Sequence, residues 1–80
     1  MTKLLFLGRL EDVAGAPELI IPLQEPTTLA DVLLMLPPVL ADALARPRVR
    51  IACNGVLVEV AGLVVDEADE LAFLPPVSGG

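Results

Sequence analysis

The order of apolar and polar positions predicts a strand from Thr2 to Leu7, because Leu4 and Phe6 alternate with Lys3 and Leu5. Gly8 to Pro17 carries charge, Gly15 and Pro17, and reads as a loop. Glu18 to Leu23 is a second, β-branched run close enough to the first to form a hairpin. Pro22 puts that strand at an edge or marks its end. Pro26-Thr27-Thr28 then opens a helix, with Thr28 and Asp31 in the capping arrangement. Leu29, Val32, Leu33 and Leu36 follow at the spacing of one apolar helix face, and Pro37-Pro38 stops it. A second, short helix starts near Pro38, carries Leu40, Ala41 and Leu44, and ends at Arg46-Pro47.

Arg48 to Cys53 alternates again, with Val49, Ile51 and Cys53 on one face and Arg48, Arg50 and Ala52 on the other. Asn54-Gly55 signals a tight hairpin, because both central residues of a type I′ turn need positive φ. Val56 to Val60 returns, and Gly62 to Val65 is a short connection. Asp66 to Glu70 makes an acidic surface turn, and Leu71 to Leu74 is the final strand. The order β-β-α-β-β-β predicts an α+β domain: a mixed sheet of about five strands, one main helix across it and a short second helix. Alternation puts Leu4, Phe6, Leu71 and Phe73 inside and leaves Leu5, Leu7 and Leu74 on the solvent side.

Eighty residues make one domain, and 55% apolar residues with mean hydropathy +0.76 supply its core and exclude disorder. Eleven acidic residues against five basic ones give a net charge of −6. That sign argues against nucleic acid and against a membrane surface, and suits partners with basic docking surfaces. It also simply keeps an apolar small protein soluble. Cys53 is the single cysteine, so no internal disulfide forms and a cytoplasmic home is expected. The apolar run after Lys3 ends at Gly8-Arg9, short of a signal-peptide core, and no stretch is long enough to span a membrane.

Most site chemistry is missing. There is no His, one Cys cannot make a zinc site, and Ser78 without a His cannot form a serine triad. No phosphate-binding glycine loop occurs, so the chain is not expected to bind a nucleotide by itself. Asp69 and Glu70 are paired carboxylates, in a polar turn that favours a solvated face over acid–base work. Cys53 faces the core side of its strand, which favours an inert thiol over a reactive one. The chain has no stand-alone active site, and no metal site is expected.

The C-terminus remains. The last strand must break at Pro75-Pro76, since proline has no ladder donor and holds the chain extended. Val77, Ser78, Gly79 and Gly80 then continue an arm whose glycines can thread a narrow channel. The Gly80 carboxylate is unhindered but, ionised at neutral pH, a poor electrophile. Activation as an acyl-adenylate would have to come from a second protein. A Gly-Gly end by itself is also found where it does nothing.

Phe73-Leu74-Pro75-Pro76-Val77-Ser78-Gly79-Gly80 resembles the C-terminal signature of the molybdopterin synthase small subunit, with Leu74 and Ser78 at its variable places. Leu5 to Leu10, Thr28 to Leu33 and Ala52 to Gly55 resemble the same family's first strand and loop, capped helix and Asn-containing hairpin. The resemblance implies a ubiquitin-like β-grasp domain over residues 1–74 and an extended tail over 75–80. It implies that an E1-like adenylyltransferase uses ATP to adenylate Gly80, and that a sulfur donor then converts it to a thiocarboxylate. The tail would insert into the large subunit of molybdopterin synthase and give its sulfur to cyclic pyranopterin monophosphate in molybdenum cofactor biosynthesis. In that role the chain would be the sulfur-donating subunit of a sulfurtransferase, nucleotide-bound only in complex. If the first and last strands are neighbours, as in a β-grasp sheet, Leu5, Leu7 and Leu74 form one apolar patch beside the tail. Together with Phe73 they are the expected partner contacts. Family members commonly have a glycine where this chain has Ala68, which leaves the geometry of that turn open. Many also have a basic residue where Glu11 or Asp12 stands, so no charge contact is carried over there. Other readings are a carrier for thiamin thiazole sulfur, a ubiquitin-like protein modifier, and a β-grasp interaction module with an inert end.

Overall fold

The computed structural model describes residues 1–76. Its elements are β1 (Thr2–Phe6), α1 (Arg9–Ala14), β2 (Glu18–Ile21), β3 (Thr27–Thr28), α2 (Leu29–Leu34) and α3 (Pro38–Leu44). β4 (Arg50–Cys53), β5 (Val56–Val58), β6 (Val64–Val65) and β7 (Glu70–Leu74) complete them. Five strands form one mixed sheet in the order β2-β1-β7-β4-β5, with β7 at the centre and parallel to its neighbour β1. The remaining pairs in that sheet are antiparallel. This is the expected α+β architecture, with the first and last strands side by side.

One face of the sheet carries the core. Leu4, Phe6, Ile51, Leu71 and Phe73 are buried there, and the Phe6 and Phe73 rings stack with centroids 5.9 Å apart. Leu29, Val32 and Leu36 from the α2 region and Leu40 and Leu44 from α3 close over them. The Thr28 hydroxyl accepts from the Asp31 N–H at 3.3 Å, the capping bond the sequence predicts. Asn54 and Gly55 take φ of 52° and 85°, as a type I′ hairpin requires. Pro22 lies just past the end of β2, the edge strand.

The helical layer differs in detail from expectation. Residues 8–17, read as a loop, contain α1, which buries Leu10 and ends on Gly15 at φ 78°. A six-residue helix with one buried side chain shows no periodicity, and its terminating glycine reads equally well as loop punctuation. No single helix dominates, since the three have 6, 6 and 7 residues. α2 stops at Leu34, yet Leu36 still reaches the core because the chain tightens into 3.0 and 3.1 Å bonds from Met35 to Val32 and from Leu36 to Leu33. The Gly62–Val65 connection is also more than a connector. Val64 and Val65 pair antiparallel with Thr28 and Thr27, burying Val65 completely. A two-residue ladder leaves no alternation to read.

The acidic turn is built without a left-handed residue at Ala68, because Asn54 is the one non-glycine with positive φ among the described residues. Asp69 makes the turn instead. Its Oδ2 accepts from the Asp66 N–H at 2.8 Å, and its N–H donates to the Asp66 carbonyl at 3.1 Å. The Asn54 side chain locks this turn to the hairpin, donating to Asp69 Oδ1 and accepting from the Glu70 N–H, both at 2.9 Å. Glu70, expected in the turn, is therefore the first residue of β7. Thr2, fully buried, adds its hydroxyl to the carbonyls of Asp66 and Glu67.

These bonds hold the Asp69 carboxyl below its ordinary value of 3.8, first through the Asp66 backbone and then through Asn54. A lowered folded value means the stabilisation is complete above the ordinary value of about 3.8 and is lost as pH falls below it through the folded value. Asn54→Ala should cost about 1–2 kcal/mol at pH 7. Urea titrations should show that deficit shrinking as Asp69 is protonated; an equal deficit at both ends of the pH range would refute the coupling.

Candidate functional site

The site is the end of β7 and the sheet face beside it. β7 stops at Leu74 because Pro75 and Pro76 cannot donate to the ladder. The last bond tying this end to β1 runs from the Leu7 N–H to the Phe73 carbonyl at 3.1 Å. Gly8 follows at φ 56°, ψ −134°, a conformation side chains avoid. A Cβ added there would lie 2.9 Å from Pro75 Cγ. Gly8 thus lets the loop before α1 press against Pro75, leaving Pro75 half-buried and Pro76 exposed. Sequence reasoning assigned Gly8 no role; as one glycine in a charged loop it gave no signal beyond punctuation. The candidate tail residues Val77, Ser78, Gly79 and Gly80 lie outside the described residues.

The strand register settles which apolar residues face outward. Leu5, Ala72, Ala52 and Leu57 are consecutive cross-strand partners over β1, β7, β4 and β5, so they form one row on the face opposite the helices. Leu74 is on that face two residues further along β7. Leu5 and Leu74 are half-buried, Leu7 is exposed, and Leu57 is 56% exposed. The structure therefore places Leu5 and Leu74 on one face, and Leu7, just past β1, is tied to β7 through the Phe73 carbonyl. Phe73 must be removed from the set of contacts. Its ring is 0% exposed and stacks on Phe6, so it belongs wholly to the core. Leu57 and Ala52 were missed, although the Asn54-Gly55 turn fixes their register and could have revealed them.

The remaining candidates are structural. Cys53 is half-buried on the core side, and its thiol is pushed up by burial and then by the nearby Asp69 charge. A raised value disfavours the thiolate, which is the nucleophilic form. Asp69 is consumed by the turn it builds, and Glu70 by the start of β7. Among the described residues no cluster of side chains could hold a metal ion, and no helix is long and apolar enough to cross a membrane.

A mixed sheet with parallel outer-sequence strands, short helices on one face and a proline-terminated last strand defines a ubiquitin-like domain of the carrier and modifier class. The ThiS family model matches residues 4–80, and the chain belongs to the ThiS family of ubiquitin-like sulfur carriers. The crystal structure of small archaeal modifier protein 1 from Haloferax volcanii is similar over 99% of this chain and 98% of its own, with 25% identity and TM-score 0.79. The solution structure of the corresponding modifier from Methanosarcina acetivorans has 25% identity and TM-score 0.69, covering 99% of this chain and 95% of its own. A putative molybdopterin converting factor, subunit 1, from Pyrococcus furiosus shares the fold at 22% identity and TM-score 0.74, over 95% of this chain and 97% of its own. Among curated proteins nothing matches.

Two substitutions separate fold from surface at this site. Phe73→Ala should cost about 3–5 kcal/mol, the range for emptying a packed aromatic position. Gly8→Ala should cost about 1–3 kcal/mol by forcing a strained φ against Pro75. Chemical denaturation reads both; a neutral Gly8→Ala would show that the Pro75 contact does not constrain the tail base.

Proposed function

We propose that the chain is a sulfur carrier for molybdopterin synthase, with the Gly80 carboxylate as its working group. The observation that carries this reading is a family match that runs through Gly79 and Gly80, on a domain whose last strand ends beside an outward apolar row. A carboxylate oxygen of Gly80 attacks the α-phosphorus of ATP on an E1-like enzyme, and pyrophosphate leaves. Sulfide delivered by a sulfur donor then attacks the carbonyl carbon, AMP leaves, and a thiocarboxylate remains. Adenylation removes the negative charge that makes the free carboxylate a poor electrophile. The tail carries the sulfur into the large synthase subunit, where cyclic pyranopterin monophosphate accepts it. Pro75 and Pro76 set the tail's direction, Val77 and Ser78 give it reach, and Gly79 and Gly80 let it thread the channel. Leu5, Leu7 and Leu74 form the docking face. The tail marks Pro75-Pro76-Val77 favour this pathway over delivery to a thiazole.

A second reading is a protein modifier that forms an isopeptide bond from Gly80 to a lysine. The similarity to two archaeal modifier proteins at 25% identity supports it. Both readings share the adenylation step and part afterwards.

Incubation with ATP, a sulfur donor and the activating enzyme should add the mass difference of one sulfur for one oxygen, read by intact-mass spectrometry. Deleting Gly80 should abolish the shift without altering the unfolding midpoint. Conjugates that survive boiling in reductant, in place of the mass shift, would select the modifier. Leu74→Asp should weaken binding to the large subunit while leaving the fold intact; an unfolded variant would assign Leu74 to the core.

A further inference from the structure

A second surface meets the tail base on the helical side. A groove of about 540 Å³ lies between α1, the end of α3 and the segment entering β4. Leu10, Val13 and Val49 give it an apolar floor, and Pro75 and Pro76 form one wall. Arg9, Arg46 and Arg48 line it. The protein has five basic residues, so three of them meet in one groove of a chain whose net charge is −6. All three are exposed, and none is ion-paired among the described residues, where the two ion pairs use the N-terminus and Lys3. Among the described residues no acidic side chain lines the groove.

We propose that this groove docks an acidic segment of the enzyme that activates the tail, carrying an apolar side chain onto Leu10, Val13 and Val49. The inference rests on the carrier reading above and adds a partner surface distinct from the sheet face. Charge complementarity selects the occupant. On a net-acidic domain, a groove that gathers three of the five cations offers an acidic segment a favourable approach. Exposed arginine side chains at a rim act mainly on encounter and are screened by salt. Because Pro75 and Pro76 form the groove wall, a segment seated there is held directly beside the point where the tail leaves the domain.

The test uses the full chain and its activating enzyme in ATP–pyrophosphate exchange, varying carrier concentration. Arg46→Gln/Arg48→Gln should raise the KM for the carrier about five- to tenfold at unchanged kcat and flatten its salt dependence. Gln24→Glu/Ala30→Glu makes the same change in net charge away from the groove and should leave KM where it was. Equal shifts in both double variants, or none in either, overturn the proposal. A fall in KM for the arginine pair would mean that the chain's own C-terminal carboxylate occupies the groove, and a fall in kcat alone that the arginines serve the nucleotide phosphates; each overturns it. Exchange by the wild type with KM unmoved in the arginine pair sinks the groove and spares the carrier reading. No exchange by the wild type sinks both.

Discussion

The parallel pairing of β1 with β7 is the constraint on which the rest of the structure depends. It joins the two ends of the chain at the centre of the sheet, in a register that places Phe6 opposite Phe73 and Leu4 opposite Leu71. Because side chains alternate along a strand, that register puts Leu71 and Phe73 under the helices and Ala72 and Leu74 on the open face. A slip by one residue would expose two residues that are now fully buried. The same pairing carries the tail base to Leu7 and Gly8, so the geometry of the exit is a consequence of the core.

Each end of β7 is fastened by a different device. At its start, the Asn54 amide bridges Asp69 and Glu70, and Asp69 closes the turn onto Asp66. Polar bonds suffice there because the groups stay near water and satisfy one another. At its end the proline pair has no donors to offer, so the strand is held sterically, by the close fit of Gly8 on Pro75. A rigid strand that ends this abruptly converts a small domain into a handle for whatever follows Pro76.

The sequence is legible where one local signal decides one feature. Thr28 with Asp31 states a helix start, Asn54-Gly55 states a hairpin, and alternation in β1, β4 and β7 states which residues are buried. Pro75-Pro76 likewise states where the sheet must end. What escapes reading depends on contacts between distant segments. α1 is too short for a period and is stabilised by packing on α3 and β1. β3 and β6 have two residues each and exist only because they meet. Phe73 was legible as a core residue from strand parity, and only its place in the terminal motif set it among the expected contacts. Arg9 is remote in sequence from Arg46 and Arg48, and only the folded helices bring them to one groove.

Charge is accordingly divided along β7. Asp66, Glu67, Asp69 and Glu70 surround its beginning, while Arg50 is paired with Leu74 at its end and Arg9, Arg46 and Arg48 line the groove beyond. The net charge read from composition describes neither group. A partner feels the local field within a Debye length of about 8–10 Å, so the group it meets decides the encounter. A partner approaching the Pro75 end of β7 therefore meets four arginines, and one approaching its start meets four carboxylates.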